Sequence, residues 1–140
     1  MVKLNKSTKY ALYAIMELSQ DTEQVLSAGQ IAGKYGISEH HISKVLQHLK
    51  RTGFIRSIRG IHGGFKIARP PGEITVMDIV DVFEPSPQND CILSDIEQQC
   101  PGGNACRIGE LFNEINEQAY YTLKSISFAT LISRKRILQS

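Results

Sequence analysis

The fold is decided by residues 27–67, which read SAGQIAGKYGISEHHISKVLQHLKRTGFIRSIRGIHGGFKI. Ser27 and Ser38 are residue types that begin helices, and each precedes a segment with apolar residues at helical spacing. Gly36 and Gly53 follow the two segments, at positions where glycine commonly ends a helix. A short helix, a glycine turn and a longer helix are typical of a helix-turn-helix.

A basic β-hairpin is predicted directly after this unit. Residues 54–58 and 65–68 are rich in β-branched and aromatic side chains, and the glycine-rich segment RGIHGG (59–64) between them favours a turn. The order of the predicted helices and strands, their lengths and their positive charge all favour the same fold. A helix-turn-helix followed by such a hairpin predicts a winged helix.

The flanking segments complete the predicted architecture. Ser7 and Thr8 are candidate N-caps of a first helix, and Thr75 is the candidate N-cap of a short later helix. Apolar residues recur at steps of three and four from 107 to about 132, which predicts one long helix. The expected fold is mainly α with a small β-hairpin wing: a winged helix-turn-helix domain (1–84), a cysteine-rich loop (85–106), and a dimerisation helix with a tail (107–140). A homodimer is expected because the domain is too small to cover the apolar face of the long helix.

Length and composition narrow the class of protein. The 140 residues fit one domain, and 41% hydrophobic with 21% charged residues is the balance of a folded chain. The apolar runs are too short to cross a bilayer and the N-terminus lacks a secretory pattern, so a cytoplasmic protein without membrane contact is expected. The net charge is +7 over residues 1–70 and −5 over residues 71–140. A basic first half favours nucleic acid as the partner.

The second helix of the helix-turn-helix is expected to read bases in the major groove of a double-stranded DNA operator. The residues expected to face the groove are Ser38, His40, His41, Ser43 and Lys44. Lys50 and Arg51, at the far end, are expected to contact phosphates with little sequence preference. Glu39 would repel phosphates, so helix capping is its expected role.

Three residues of the hairpin turn are also candidate DNA contacts. Arg59 is next to Gly60, and an arginine flanked by flexible residues can enter a narrow minor groove. His62 either touches phosphate or is simply exposed in the turn.

All three cysteines, Cys91, Cys100 and Cys106, lie within one stretch of sixteen residues. An odd number of cysteines in a reducing cytosol does not form a closed set of disulfides. The spacing has no CxxC pair, which disfavours structural zinc, whereas a pliable loop of small residues suits an iron–sulfur cluster. From the spacing alone, a cluster, a zinc site and a thiol redox switch all stay open.

The segments LNKSTKYAL (4–12) and SIRGIHGGF (57–65), with the three-cysteine loop before a long helix, resemble the Rrf2 family of bacterial winged-helix transcriptional regulators. The resemblance implies a homodimer, an operator with two half-sites, and an iron–sulfur cluster (2Fe–2S or 4Fe–4S) held by Cys91, Cys100 and Cys106. It also implies that Arg59 is the wing arginine.

The chain departs from two subgroups of that family. IscR-like members have a histidine three residues after the last cysteine, where this chain has Gly109. NsrR-like members have an aspartate in the first helix, where this chain has Lys9. The fourth ligand is therefore left open between Asp90, Glu110, a residue near Thr8 of the partner chain, and water.

The sequence thus predicts a DNA-binding transcriptional regulator, such as a repressor, whose operator binding depends on a cluster that senses iron, cluster supply, redox state or nitric oxide. The alternative is a regulator of the same family without a cluster, acting as a thiol redox switch or containing zinc. An enzyme is not expected, because a cysteine nucleophile needs a nearby base. All four histidines lie in the predicted DNA-reading unit instead.

Overall fold

The structure, a computed structural model, describes residues 4–84 and 104–134. Six α-helices and two strands lie within these residues, in the order α1 (Lys6–Gln20), α2 (Ala28–Tyr35), α3 (Glu39–Arg51), β1 (Ile55–Ile58), β2 (Gly64–Ile67), α4 (Val76–Phe83), α5 (Asn104–Ser125) and α6 (Phe128–Arg134). A 3₁₀ turn (Pro71–Glu73) precedes α4. The mainly α fold with a hairpin wing is confirmed.

The helix-turn-helix forms at the predicted residues. Ser27 and Gln30 make a reciprocal capping box at the start of α2, and Gly36 ends this helix in a left-handed conformation with φ of +64°. The Ser38 side chain accepts a hydrogen bond from the backbone N–H of His41 and so begins α3. Both helices are therefore bounded by local interactions that the sequence specifies.

The wing is a two-stranded antiparallel hairpin in which Ile55 pairs with Ile67 and Ile58 with Gly64. Its second strand is also tied to the segment before α2, because Leu26 and Phe65 exchange two backbone hydrogen bonds of 2.9 and 2.7 Å. The approach is so close that a β-carbon at Gly64 would lie 2.5 Å from the Leu26 carbonyl oxygen. Glycine at 64 is thus a steric requirement of the junction.

The core lies between α1, α3 and the base of the wing. Its fully buried members include Ile15 and Leu18 of α1, Leu46 and Leu49 of α3, and Phe128 of α6. Burial of one such side chain stabilises the fold by about 1.5–3 kcal/mol. The apolar face of α3 is buried in this core, so its polar face remains exposed to solvent.

The start of α1 differs from the sequence prediction. Asn5 is the N-cap rather than Ser7 or Thr8, and its side-chain oxygen accepts a hydrogen bond of 2.8 Å from the backbone N–H of Thr8. Thr8 is completely buried, and its hydroxyl donates to Glu84 of a distant segment. A tertiary contact therefore fixes the role of Thr8.

The prediction of one helix from 107 to about 132 was wrong. The helix begins earlier, at Asn104, so Cys106 lies in its first turn rather than in a loop, and it ends at Ser125. Ile126 and Ser127 are extended, with Ser127 paired to Thr75, and α6 follows. The break has a tertiary cause. Phe128 is buried in the core of the winged unit, the part of the chain formed by residues 4–84, and α6 packs against this unit.

None of the helices in residues 4–84 and 104–134 combines the length and apolar character needed to cross a membrane. The boundaries proposed for three segments (1–84, 85–106 and 107–140) stay a prediction.

Candidate nucleic-acid interface

The second helix of the helix-turn-helix, α3, has two chemically distinct faces. Ile42, Val45, Leu46 and Leu49 are buried on one face. On the other face Ser38, His40 and Lys44 are exposed, while His41 and Ser43 are half-buried. The structure therefore places three of the five predicted base-reading residues in solvent and two at the border of the core.

A groove of about 550 Å³ runs beside this exposed face, between α3, the first turn of α1 and the end of α4. Eight of its ten lining residues are of polar or basic type, and the full lining comprises Ser7, His40, His41, Ser43, Lys44, Val45, Gln47, His48, Arg51 and Phe83. Ser7, Gln47 and His48 were not among the predicted site residues. Gln47 could have been found from its spacing, because it lies four residues after Ser43 and three after Lys44 on the same helix face.

Two histidines of α3 are held by aromatic neighbours. The His41 ring meets the Tyr10 ring edge-on at a centroid distance of 4.8 Å, and the His48 ring lies 4.7 Å from that of Phe83. These contacts fix both imidazoles against α1 and α4. His41, predicted as a base reader, therefore has a packing role in addition to its place beside the groove.

Glu39 faces the neighbouring helix. A β-carbon at Gly29, in the first turn of α2, would lie 3.6 Å from the Glu39 carboxylate, so this negative charge lies near the helix N-terminus. A carboxylate is stabilising there because the N-terminal end of a helix carries partial positive charge. This placement agrees with a structural role for Glu39, although the helix it serves is α2.

Tyr35 holds α2 against α1. Its hydroxyl donates a hydrogen bond of 2.6 Å to Glu17, and its ring stacks on that of Tyr13 at 4.9 Å. Burial and the adjacent carboxylate of Glu17 both raise the pKa of the Tyr35 hydroxyl. The hydroxyl therefore stays protonated and keeps donating to Glu17.

The predicted phosphate contacts Lys50 and Arg51 are exposed at the end of α3, and Arg59, Gly60 and His62 are exposed in the wing turn. Arg56 is a further exposed cation on β1. Lys66 differs, because its ammonium group lies 3.0 Å from the carboxylate of Glu23. The described winged unit thus presents a series of exposed cations along α3 and the hairpin.

The end of α4 is fastened to the start of α1 by a small polar cluster. The Glu84 carboxylate accepts hydrogen bonds of 2.8 Å from the Asn5 backbone and 2.6 Å from the Thr8 hydroxyl, and the Asn5 side chain donates to the Phe83 carbonyl. Because Phe83 also contacts His48, this cluster helps to position one wall of the groove beside α3.

We expect Glu84→Ala to lower the free energy of unfolding by about 1–3 kcal/mol, because it removes two hydrogen bonds to a charged acceptor. Urea denaturation followed by circular dichroism measures the change. Asp81→Ala, at an exposed position of the same helix, is the matched control and should be nearly neutral. Equal stability of the two variants would show that the cluster contributes nothing.

The predicted cysteine site lies mostly outside the described residues. Cys91 and Cys100 belong to residues 85–103, and so does Asp90. Cys106 is exposed in the first turn of α5, and Glu110 is exposed one turn further on the same helix. Within the described part of the chain, no three histidine, cysteine or carboxylate side chains are grouped as metal ligands.

The long helix α5 carries uncovered apolar side chains. Ile108, Leu111 and Ile115 are each about half exposed, and Tyr121 is more exposed still. Ile108, Leu111 and Ile115 are spaced at i, i+3 and i+7 and so share one face of the helix. The helix also packs on α4 of its own chain, and just beyond its C-terminal end the Ile126 carbonyl accepts a hydrogen bond from the backbone N–H of Val76 at the start of α4.

The chain is similar along almost its whole length to known transcriptional regulators. The sequence profile of the Rrf2 family, described as an iron-dependent transcriptional regulator, matches residues 4–134. The chain is 37% identical over 132 residues to a protein of Rhodopseudomonas palustris named as the HTH-type transcriptional regulator BadM, covering 94% of this chain and 81% of that one. It is 29% identical over 150 residues to the HTH-type transcriptional regulator NsrR of Geobacillus kaustophilus, covering 99% and 95%.

A solved structure also matches almost throughout. The structure of CymR, the global cysteine regulator of B. subtilis, superposes with a TM-score of 0.77 at 29% identity, covering 96% of this chain and 99% of that one.

Proposed function

The chain belongs to the Rrf2 family of transcriptional regulators, and from this premise we propose that it binds a double-stranded DNA operator as a homodimer under the control of an iron–sulfur cluster. The observation that carries the DNA-binding part is the exposed polar face of α3, with Ser38, His40 and Lys44 outside the core. A helix of this kind in a winged helix inserts its early residues into the major groove.

Each exposed group has a distinct role in this proposal. The base edges are contacted by Ser38, His40, Ser43 and Lys44. His41 lies beside these residues, at the border of the core. Lys50 and Arg51 bind phosphates and set the position of the helix, whereas Arg59, with Gly60 and His62 beside it, enters the minor groove. Sequence preference then comes from α3 and Arg59.

Replacing both Lys50 and Arg51 with alanine is expected to weaken DNA binding almost equally for all sequences. Each lost phosphate contact lowers the slope of log K against log salt by about 0.9, so the double variant should lose up to ~2 from the slope. Fluorescence anisotropy over a salt series measures it.

Lys124→Ala, on α5, is the control for the loss of a positive charge away from the proposed interface. An unchanged salt slope in the double variant would remove the end of α3 from the interface. A selective loss of binding to one sequence would instead assign base reading to these two residues.

The homodimer is supported by α5. Ile108, Leu111 and Ile115 expose apolar surface on one helix face, and a second copy of the helix would cover it. Two α3 helices related by a two-fold axis would then read two half-sites of one operator.

The cluster would be held by the thiolates of Cys91, Cys100 and Cys106. Cys106 fits this role, because its side chain is exposed at the start of α5 and Glu110 lies one turn away as a carboxylate that could complete the donor set. When bound, the cluster supplies an iron site that reacts with oxygen or nitric oxide. Cys106 and Glu110 lie at the start of α5, and this helix packs on α4 of the winged unit, so loading of the thiolates is expected to change the position of the winged unit through α5.

Purification of the full chain without oxygen, followed by an absorption spectrum and iron and sulfide analysis, tests the cluster. Brown protein with visible bands and sequence-specific DNA binding supports the proposal. A colourless protein that binds DNA supports the second candidate, a family regulator that uses its thiols as a redox switch or binds zinc. The likeness to CymR, a global cysteine regulator, is the observation that favours this second candidate.

A further inference from the structure

The wing turn holds the most exposed large apolar side chain in the described residues. Ile61 is 98% exposed at the tip of the hairpin, whereas the other large apolar side chains that are exposed there lie between 41% and 66%. An isolated, fully solvated isoleucine gains nothing for the fold of this chain. The residues around Ile61 indicate which kind of partner its side chain contacts.

Ile61 is surrounded by positive and polar groups. Arg59 and His62 flank it in the turn, and Arg56 is exposed on the adjoining strand. The other exposed large apolar residues described in the chain are on α1 and α5. Ile61 is therefore separate from the apolar face that a second copy would cover, and its neighbours favour an anionic partner.

The turn is rigid enough to hold Ile61 outward. Gly60 adopts a φ of +121°, and its carbonyl accepts a hydrogen bond of 3.0 Å from the backbone N–H of Gly63. A β-carbon at Gly63 would lie 2.3 Å from the Ile58 carbonyl, so the base of the turn is closed. Ile61 and His62 occupy the two central positions of this turn.

We propose that Ile61 is a specificity-determining residue that packs into the DNA minor groove beside Arg59 and favours A·T pairs there; this rests on the proposed function. The edges of A·T pairs in the minor groove lack the guanine amino group. The branched side chain can then contact the sugar walls, as apolar side chains of minor-groove proteins do. At a G·C pair it would cover the amino group and leave it without a hydrogen-bond partner, which is unfavourable.

The test uses the full chain and a duplex selected from a randomised pool. A hydroxyl-radical footprint locates the pairs under the wing, and those A·T pairs are then replaced by G·C or by inosine·C, which lacks the amino group. We expect the G·C duplex to bind about tenfold more weakly and the inosine duplex to bind like the original. Ile61→Ala should reduce this difference at least threefold, while the conservative Ile61→Val should retain it.

Three results would count against the inference. If Ile61→Ala keeps the full difference in affinity between the A·T and G·C duplexes, the side chain does not read the groove. Weakening by inosine equal to that by guanine would show that the amino group is not what is sensed. A change in oligomeric state with unchanged DNA binding would assign Ile61 to a protein contact.

The proposed function fails in a different way. If the unsubstituted chain enriches no sequence from the pool, sequence-specific DNA binding is absent, and the inference falls with it. If the chain enriches a sequence that Ile61→Ala binds with unaltered preference, the proposed function stands and only the role of Ile61 is overturned.

Discussion

Arg59→Ala is expected to weaken binding to the selected operator by about 10- to 100-fold and to reduce the preference for that operator over related duplexes. Arg59 is exposed next to Gly60 at the start of the wing turn, and the hairpin that carries it is fastened to the segment before α2. A guanidinium group held in this way can enter a narrow minor groove, where the negative potential is strongest.

Fluorescence anisotropy with the operator and with a shuffled duplex separates affinity from selectivity. Arg134→Ala removes the same charge from an exposed position on α6 and is the matched control. Because Arg59 is exposed, the substitution should leave the thermal unfolding midpoint unchanged. If this variant keeps full affinity and full selectivity, Arg59 has no part in recognition.

Cys106→Ala is expected to abolish visible absorption and bound iron and sulfide in protein purified without oxygen, and to change operator affinity at least tenfold. A thiolate is the ligand on which an iron–sulfur cluster depends, and the alanine side chain offers no donor atom. Cys106 lies in the first turn of α5, a helix that packs on α4 of the winged unit. Loss of this ligand is therefore expected to change operator affinity as well as visible absorption.

Ser125→Ala, at the exposed end of the same helix, is a control that should leave colour and binding unaltered. Chemical analysis of iron, sulfide and zinc accompanies the spectrum. A Cys106→Ala protein that remains brown and binds its operator normally would contradict the cluster assignment. Loss of zinc with no iron present at the outset would support a family regulator that contains zinc.

The helix-turn-helix and the wing were predictable because their boundaries are set by local interactions. Ser27, Ser38 and Thr75 each cap the helix that the sequence assigned to them. Gly36 and Gly53 adopt positive φ angles just beyond α2 and α3, as the pattern indicates. The two strands differ from the predicted segments by a single residue at three of their ends.

The errors arose where distant segments decide the structure. Nothing in the local sequence indicates that Thr8 is buried with its hydroxyl donating to Glu84, while Asn5 caps α1 by accepting a hydrogen bond from the Thr8 backbone N–H. Likewise, the apolar spacing continues through Ile126, yet this residue accepts a hydrogen bond from the backbone N–H of Val76 and the helix is interrupted. Periodicity reports which residues are apolar and cannot report which other segment they meet.

The candidate site, too, was predictable from the sequence only in part. The polar face of α3 follows directly from the spacing of its buried residues, so the exposure of Ser38, His40 and Lys44 was predictable, while their role in reading DNA stays a prediction. The contact between His48 and Phe83 joins elements far apart in sequence and was missed. The roles of Cys91 and Cys100 rest on the family resemblance, because these residues lie outside the described parts of the chain.

The steric closure at Gly63 and Gly64 divides the hairpin into an exchangeable part and a fixed part. Arg59, Ile61 and His62 are exposed, so we expect these positions to accept other side chains without rebuilding the scaffold, whereas the φ of +121° at Gly60 favours glycine. The two glycines behind them admit no such variation, since any side chain there collides with the main chain at Ile58 or Leu26. Chimeras between regulators of this kind should therefore be joined inside the tip, with the glycine pair retained.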